Sequence, residues 1–396
     1  MKNLCKMLAF IFMAFSLTLQ ATPSSSLKKK PVNPEFSSYQ QRIQSSRLSE
    51  NSAGTDRGYG HIPPPVGPFY GTVTTSASPY PVDSLPSSYD LRQLNRVTAV
   101  KNQSSCGSCW AFAAMGSIES SLMPTEETDL SEEHLILNHG FDYDPCEGGQ
   151  PWMSLAYLSR WGGPLNESDF SYKLGNSSST GYSELIEKHV QEAVFLPERT
   201  SYTDNDKIKQ FITNKGAVII SYNADDSYMN FSTGAYYCTK SGSTNHEVVV
   251  VGWDDNYSAA NFSSTPPGKG AFIVKNSWGS TWGKQGYFYM SYYDKSMSYP
   301  VSFYNARPID DYGTNYYHDA LGWCTSFGYK SNTAWGANVF EAVNNQPIEA
   351  VSVILGDVNS ECQIQVYRNA TRQNPRAGTL VCQQTLRKTY PGYYMV

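Results

Sequence analysis

Apolar and polar positions change their spacing twice along the chain, and the changes divide it into three stretches. The middle stretch, from Leu85 to about Tyr293, opens with helical patterns. Cys109 to Leu122 is rich in small and apolar residues, and Leu130 to His134 opens a second helix with Ser131 as N-cap. Trp152 to Arg160 reads as a third helix. A fourth begins after Asp204 or Asn205, carries Ile208, Phe211 and Ile212 on one face, and stops near Gly216. Short β-branched or aromatic runs follow: AVIISYN (217–223), EVVVVGW (247–253), AFIVKNSW (271–278) and YFYMSYY (287–293). A helical half followed by a strand half predicts an α+β architecture with a cleft between the two.

The flanking stretches differ. Residues 22–84 carry Lys28-Lys29-Lys30, the Pro63-Pro64-Pro65 run and a Thr/Ser/Pro segment at 72–81, so they read as an extended leader. Only Phe36 to Leu48 suggests a helix there. Beyond about 306, IEAVSVIL (348–355), ECQIQVYRN (361–369) and GTLVCQQTL (378–386) predict a separate all-β, sandwich-like unit. Tyr393–Val396 reads as a further strand start, so this unit is expected to be incomplete. The expected domains are therefore 1–21, 22–84, 85–305 and 306–396.

Residues 1–21 have the pattern of a secretory signal: Lys2 and Lys6, an apolar stretch from Met7 to Leu19, and Ala21 at the cleavage site. The alternative is an uncleaved anchor, but the stretch is short for a bilayer, and no later segment approaches about 18 consecutive apolar residues. The expectation is a secreted, lumenal or periplasmic monomer with no stable membrane insertion. That compartment makes the cysteine count informative. Of eight cysteines, Cys5 would leave with the signal, and the odd remainder implies at least one unpaired thiol. Charged residues are only 16% of the chain and the net charge is −5, so no basic surface argues for nucleic acid.

The densest chemical signal is Gln103 to Phe112, in which Cys106-Gly107-Ser108-Cys109 runs from a loop into the predicted helix. Backbone N–H groups and the helix dipole favour a thiolate at such a position. Cys-x-x-Cys alone fits a redox dithiol, half a zinc site, or one structural and one catalytic cysteine. Zinc would need a second pair; the other cysteines are widely spaced singles and the chain has six His, so no metal or cofactor is expected. His246 at a strand start and Asn276 at a strand end follow in that order, which supplies a nucleophile, a base and an orienting amide.

With these residues assembled, the chain resembles the papain-like cysteine peptidases. The resemblance runs from Leu85 (LPSSYDLR) to about Tyr293 through Cys106-Gly107-Ser108-Cys109-Trp110, Leu130-Ser131-Glu132-Glu133, Cys146-Glu147-Gly148-Gly149 and Asn276-Ser277-Trp278-Gly279. It implies a two-lobed fold, a helical lobe and a β-barrel lobe with the cleft between. The region after 306, with Leu321-Gly322-Trp323 and Asn332 to Asn338, resembles the lectin-like domain attached to some such enzymes. The implied activity is that of a secreted endopeptidase acting on polypeptides through a Cys109 thiolate, with glycans as further partners of the C-terminal domain. The resemblance makes Cys109 the nucleophile, His246 the base, Asn276 its orienting partner, and Gln103 with the Cys109 N–H the oxyanion hole. It places Gly148, Gly149, Gln150, Pro151 and Trp278 against the substrate, with Ser221 and Thr244 as further pocket walls, and pairs Cys106 with Cys146. Glu247 stands where the family has a small residue, and its carboxylate is expected to point away along the strand. The leader lacks the family's long helical inhibitory pattern, which leaves self-inhibition open. The competing readings are a non-catalytic glycan- or protein-binding protein on a peptidase scaffold, and a thiol oxidoreductase using Cys106 and Cys109. A further disulfide is expected from register: a hairpin centred near residue 372 sets Cys362 opposite Cys382, within bridging distance.

Overall fold

The computed structural model describes residues 7–10, 28–46, 57–67, 85–178, 185–328, 331 and 333–396. Of the expected signal segment, only Met7–Phe10 lies within these, as a short strand parallel to Glu349–Leu355; the proposed cleavage site lies outside them.

Helix α1 (Pro34–Ser46) belongs to the leader. Helix α2 (Cys109–Leu122) is buried along nearly its whole length, because its small residues let strands approach closely. Gly116 faces the Val249 side chain, and the Ser117 hydroxyl donates to Ala217 O and accepts from Phe303 N. Helix α3 (Glu132–Asn138) starts at Ser131, whose Oγ accepts the His134 N–H at 3.1 Å. Helix α4 (Pro151–Ser159) is capped by the Gln150 side chain, with Pro151 in its first turn. Helix α5 (Asp206–Asn214) buries the predicted face of Ile208, Phe211 and Ile212.

The β half is built around His246–Asp254, which pairs antiparallel with Val218–Tyr222 on one side and Ala271–Lys275 on the other. Tyr287–Ser291 continues the sheet beyond Ala271–Lys275. On the opposite side, Ser298–Pro308 joins Val218–Tyr222 to Lys188–Phe195. These last two long strands are absent from the sequence reading. Lys188–Phe195 opens with polar residues that are buried here, Lys188 being paired with Glu126, and Ser298–Pro308 contains two prolines. Both features dilute the period-two signal.

The C-terminal unit is all-β. Two of its strands, Gly392–Met395 and Glu349–Leu355, extend the same sheet beside Lys188–Phe195, so the peptidase sheet runs on into this unit. Ser360–Arg368 and Thr379–Lys388 make the expected hairpin in a different register: Cys362 faces Leu386 and Cys382 faces Val366. The expected Cys362–Cys382 disulfide is therefore incorrect. The hairpin centre lies two residues further on than the turn residues suggest, and a bulge at Val366/Tyr367 shifts the ladder again. Cys238, which is buried, and Cys324, which is exposed, are likewise not joined to each other.

Candidate active site

The loop before α2 is fixed from several sides. A disulfide joins Cys106 to Cys146, and Gly107 N donates to Cys146 O at 3.1 Å. Cys106 is thereby committed, and Cys109 stands alone as a buried thiol at the start of α2. Upstream, Lys101 Nζ binds Glu132 at 2.9 Å and Asp129 at 2.5 Å, and lies 3.6 Å from Glu119. Gln103 N donates to Ser277 O at 2.8 Å, and the Gln103 side-chain oxygen accepts from Ser277 Oγ at 2.5 Å. These bonds stitch the Gln103 loop to the strand end that carries Asn276. Tyr172, which the sequence reading does not name, closes the back of the loop by donating to Gln103 O at 3.0 Å.

His246 opens the central strand. Its Nε2–H donates to Asn276 Oδ1 at 2.8 Å, so Nδ1 carries the free lone pair; Nδ1 is buried and has no hydrogen-bond partner among the described residues. Trp278 stacks on the ring with centroids 4.4 Å apart at 20°, which shields the His246–Asn276 bond from water. The next residue's amide, Glu247 N, donates to Cys109 Sγ at 3.4 Å. Burial and then the Glu247 charge push the Cys109 thiol well above its ordinary range, while burial pushes His246 down to about 4. With the cleft filled as it is here, the pair is held as neutral thiol and neutral imidazole.

What fills the cleft is the leader. Residues 57–67 run through it, held by Ile62 N to Gly149 O and Gly149 N to Gly60 O, both 2.8 Å, and by Gly60 N and His61 N to Asn245 O, both 3.1 Å. Gly58 O accepts from Gln103 Nε2 at 3.1 Å and from Trp278 Nε1 at 3.2 Å. Tyr59 meets His246 and Trp278 edge-on, and the Arg57 guanidinium lies over Trp278 while paired with Asp226. A Cβ at Gly58 would stand 2.0 Å from Cys106 O, and one at Gly60 would stand 2.1 Å from Gly107 O. Only glycine lets the leader press this closely on the nucleophile loop.

The residues expected along the substrate wall divide into two groups. Gly148 and Gly149 do meet a peptide backbone, and a Cβ on Gly148 would come within 2.6 Å of Gly60 O. Gln150 spends its side-chain oxygen on the Trp152 N–H as the cap of α4, and Pro151 is buried in the first turn of that helix. Ser221 Oγ lies 3.2 Å from His61 Nδ1, whereas the Thr244 hydroxyl is buried with no partner among the described residues. Glu247 is the largest departure from expectation. It is buried, and its Oε1 is 2.6 Å from His61 Nδ1 across the cleft. The expectation that it points away along the strand follows strand alternation, which carries it away from His246 but into the cleft wall. The sequence reading does not single out Arg57-Gly58-Tyr59-Gly60-His61, whose one local signal is two glycines spaced by an aromatic residue.

Comparison with known proteins agrees with this geometry. The pattern of the papain family cysteine proteases matches residues 85–302, and that of a lectin-like domain matches 315–396. The viral cathepsin of Choristoneura fumiferana nuclear polyhedrosis virus is 34% identical over 211 residues, covering 52% of this chain and 60% of that protein. The viral cathepsin of Spodoptera litura multicapsid nucleopolyhedrovirus is 36% identical over 208 residues, covering 51% and 56%. The chain thus spans only about 60% of the length of such relatives. Among solved structures, the cysteine protease and lectin-like domains of Cwp84, a surface layer associated protein of Clostridium difficile, superpose with a TM-score of 0.74 at 23% identity. That match covers 95% of this chain and 82% of the other. The fold is papain-like with an appended lectin-like domain, and the chain belongs to the papain family of cysteine proteases.

Proposed function

We propose that the protein is a secreted cysteine endopeptidase made as a zymogen, in which residues 57–67 block the cleft until the leader is removed. The observation that carries this reading is the His246 Nε2–Asn276 Oδ1 bond of 2.8 Å, set beside a lone thiol at a helix N-terminus and the Gln103 amide. Removing the leader opens the cleft to water and lifts the burial that disfavours charge on both groups. The helix N-terminus and the Glu247 amide then favour a thiolate, and His246 Nδ1 takes the proton.

The thiolate attacks the scissile carbonyl carbon. The developing oxyanion is met by Gln103 Nε2 and the Cys109 N–H, and Gln103 Nε2 already binds a carbonyl oxygen in the leader-bound state. His246 returns its proton to the departing amine, leaving an acyl-enzyme. It then takes a proton from water as that water attacks the thioester, which restores the pair. Asn276 and Trp278 hold the ring in plane throughout. Cys106 is tied to Cys146, which leaves a Cys106–Cys109 redox cycle without its second thiol. The C-terminal domain would recognise glycans on a substrate or surface. The test is hydrolysis of peptide by the processed protein beside its Cys109→Ala variant.

A further inference from the structure

Glu247 and His61 form the one fully buried contact between a carboxylate and an imidazole across the cleft among the described residues, with both side chains 0% exposed. Glu247 Oε1 is 2.6 Å from His61 Nδ1, and Ser221 Oγ is 3.2 Å from the same nitrogen. The Tyr299 ring covers the imidazole at 5.6 Å. Glu247 Oε2 has no partner among the described residues. A carboxylate buried with half of its acceptor capacity unused is a costly arrangement unless the pocket is built for a donor. The pocket also adjoins the chemistry, because the Glu247 amide reaches Cys109 Sγ at 3.4 Å while its side chain forms the pocket floor.

We infer that the pocket of Glu247, Ser221 and Tyr299 selects substrates with a basic side chain beside the scissile bond, and that the leader fills it with His61 as a stand-in for that side chain. This rests on the peptidase reading above and adds the class of substrate. A protonated nitrogen placed at His61 Nδ1 would make a charge-assisted bond to Oε1, share the Ser221 hydroxyl, and lie against the face of Tyr299. An apolar side chain would fill the same space and leave the carboxylate buried without a donor. Selectivity therefore arises as much from the penalty on neutral side chains as from attraction to basic ones.

The test uses the full chain with a recognition site for a sequence-specific protease placed within 68–84, folded, cut and freed of its leader by chromatography. In a Cys109→Ala background it is titrated at pH 6 with a synthetic 57–67 peptide carrying His61, His61→Lys or His61→Leu. The Leu peptide should bind about 10–100-fold more weakly than the other two, the scale of a lost hydrogen bond to a charged group. Glu247→Gln should shrink that gap to about threefold or less. A Leu peptide that binds as tightly as the Lys peptide overturns the inference. The peptide variants leave the protein untouched, so this outcome does not depend on how the Gln variant folds. With Cys109 intact, the same protein should cleave peptides with Lys or Arg beside the scissile bond in preference to Leu, and Glu247→Gln should abolish the preference. The ratio of the two rates cancels any general effect of Glu247 on the thiol. Discrimination in binding without Cys109-dependent cleavage would uphold the pocket and refute the peptidase reading.

Discussion

At the scale of single residues, the account rests on a division of labour that mutation can resolve. Cys109→Ala or His246→Ala should abolish turnover with the fold intact, because neither the nucleophile nor its base has a substitute nearby. Asn276→Ala should lose less, since Asn276 fixes the His246 tautomer through one 2.8 Å bond and moves no proton itself. Gln103→Ala should lower kcat by roughly 10²-fold with little change in KM, the scale of one preorganised oxyanion donor. In the sequence these four residues were reached only in combination: the order Cys109, His246, Asn276 offers a nucleophile, a base and an orienting amide, and the resemblance to the papain-like peptidases adds Gln103 and assigns the roles. Glu247 was not placed correctly. Its neighbour His246 could be assigned from sequence, but the direction of the next side chain depends on which wall of the cleft the strand lines, and His61 reaches it from 186 residues away.

At the scale of elements, the proposal gives the leader segment 57–67 control over the charge state of the site. With it seated, burial holds His246 near 4 and raises Cys109, so both groups are neutral at pH 6. The leader-bound His246 gains its proton only as pH falls toward about 4; under the proposed mechanism, admitting water on leader removal lets His246 hold at pH 6 the proton that the thiol gives up. Imidazole chemical shifts should therefore report a neutral His246 at pH 6 in the intact chain and a protonated one after leader removal. Alkylation of Cys109, read by peptide mapping at the same pH, should accelerate in parallel. Equal reactivity in both forms would contradict the role assigned to the leader. Gly60→Ala should loosen the leader, because its Cβ would fall 2.1 Å from Gly107 O. The helices and the four strands of the predicted β half were readable from period and capping, since each buries a continuous apolar face. The leader's path was not readable, because its backbone is held by partners scattered over Gly149, Asn245 and Gln103.

At the scale of the whole molecule, the peptidase and lectin-like domains share a sheet through Gly392–Met395 beside Lys188–Phe195, and Trp323 of the second packs edge-on against Trp152 of the first. The sequence reading separates the two units by a change in pattern at about 306, and pattern alone has no means of locating a strand that joins them. Tyr393 is fully buried at this junction, so Tyr393→Ala should cost about 3–5 kcal/mol, as for other large aromatic truncations. Calorimetry should show a single unfolding transition moved to lower temperature; two transitions, only one of them shifted, would mean that the domains fold independently. Mass mapping without reduction should recover Cys106 with Cys146 and show no Cys362–Cys382 link. The central claim is tested most directly by following peptide hydrolysis with leader-free protein, wild type against Cys109→Ala. The account predicts turnover by the wild type, with an acyl group carried on Cys109, and none by the variant; hydrolysis by Cys109→Ala at the wild-type rate would contradict it.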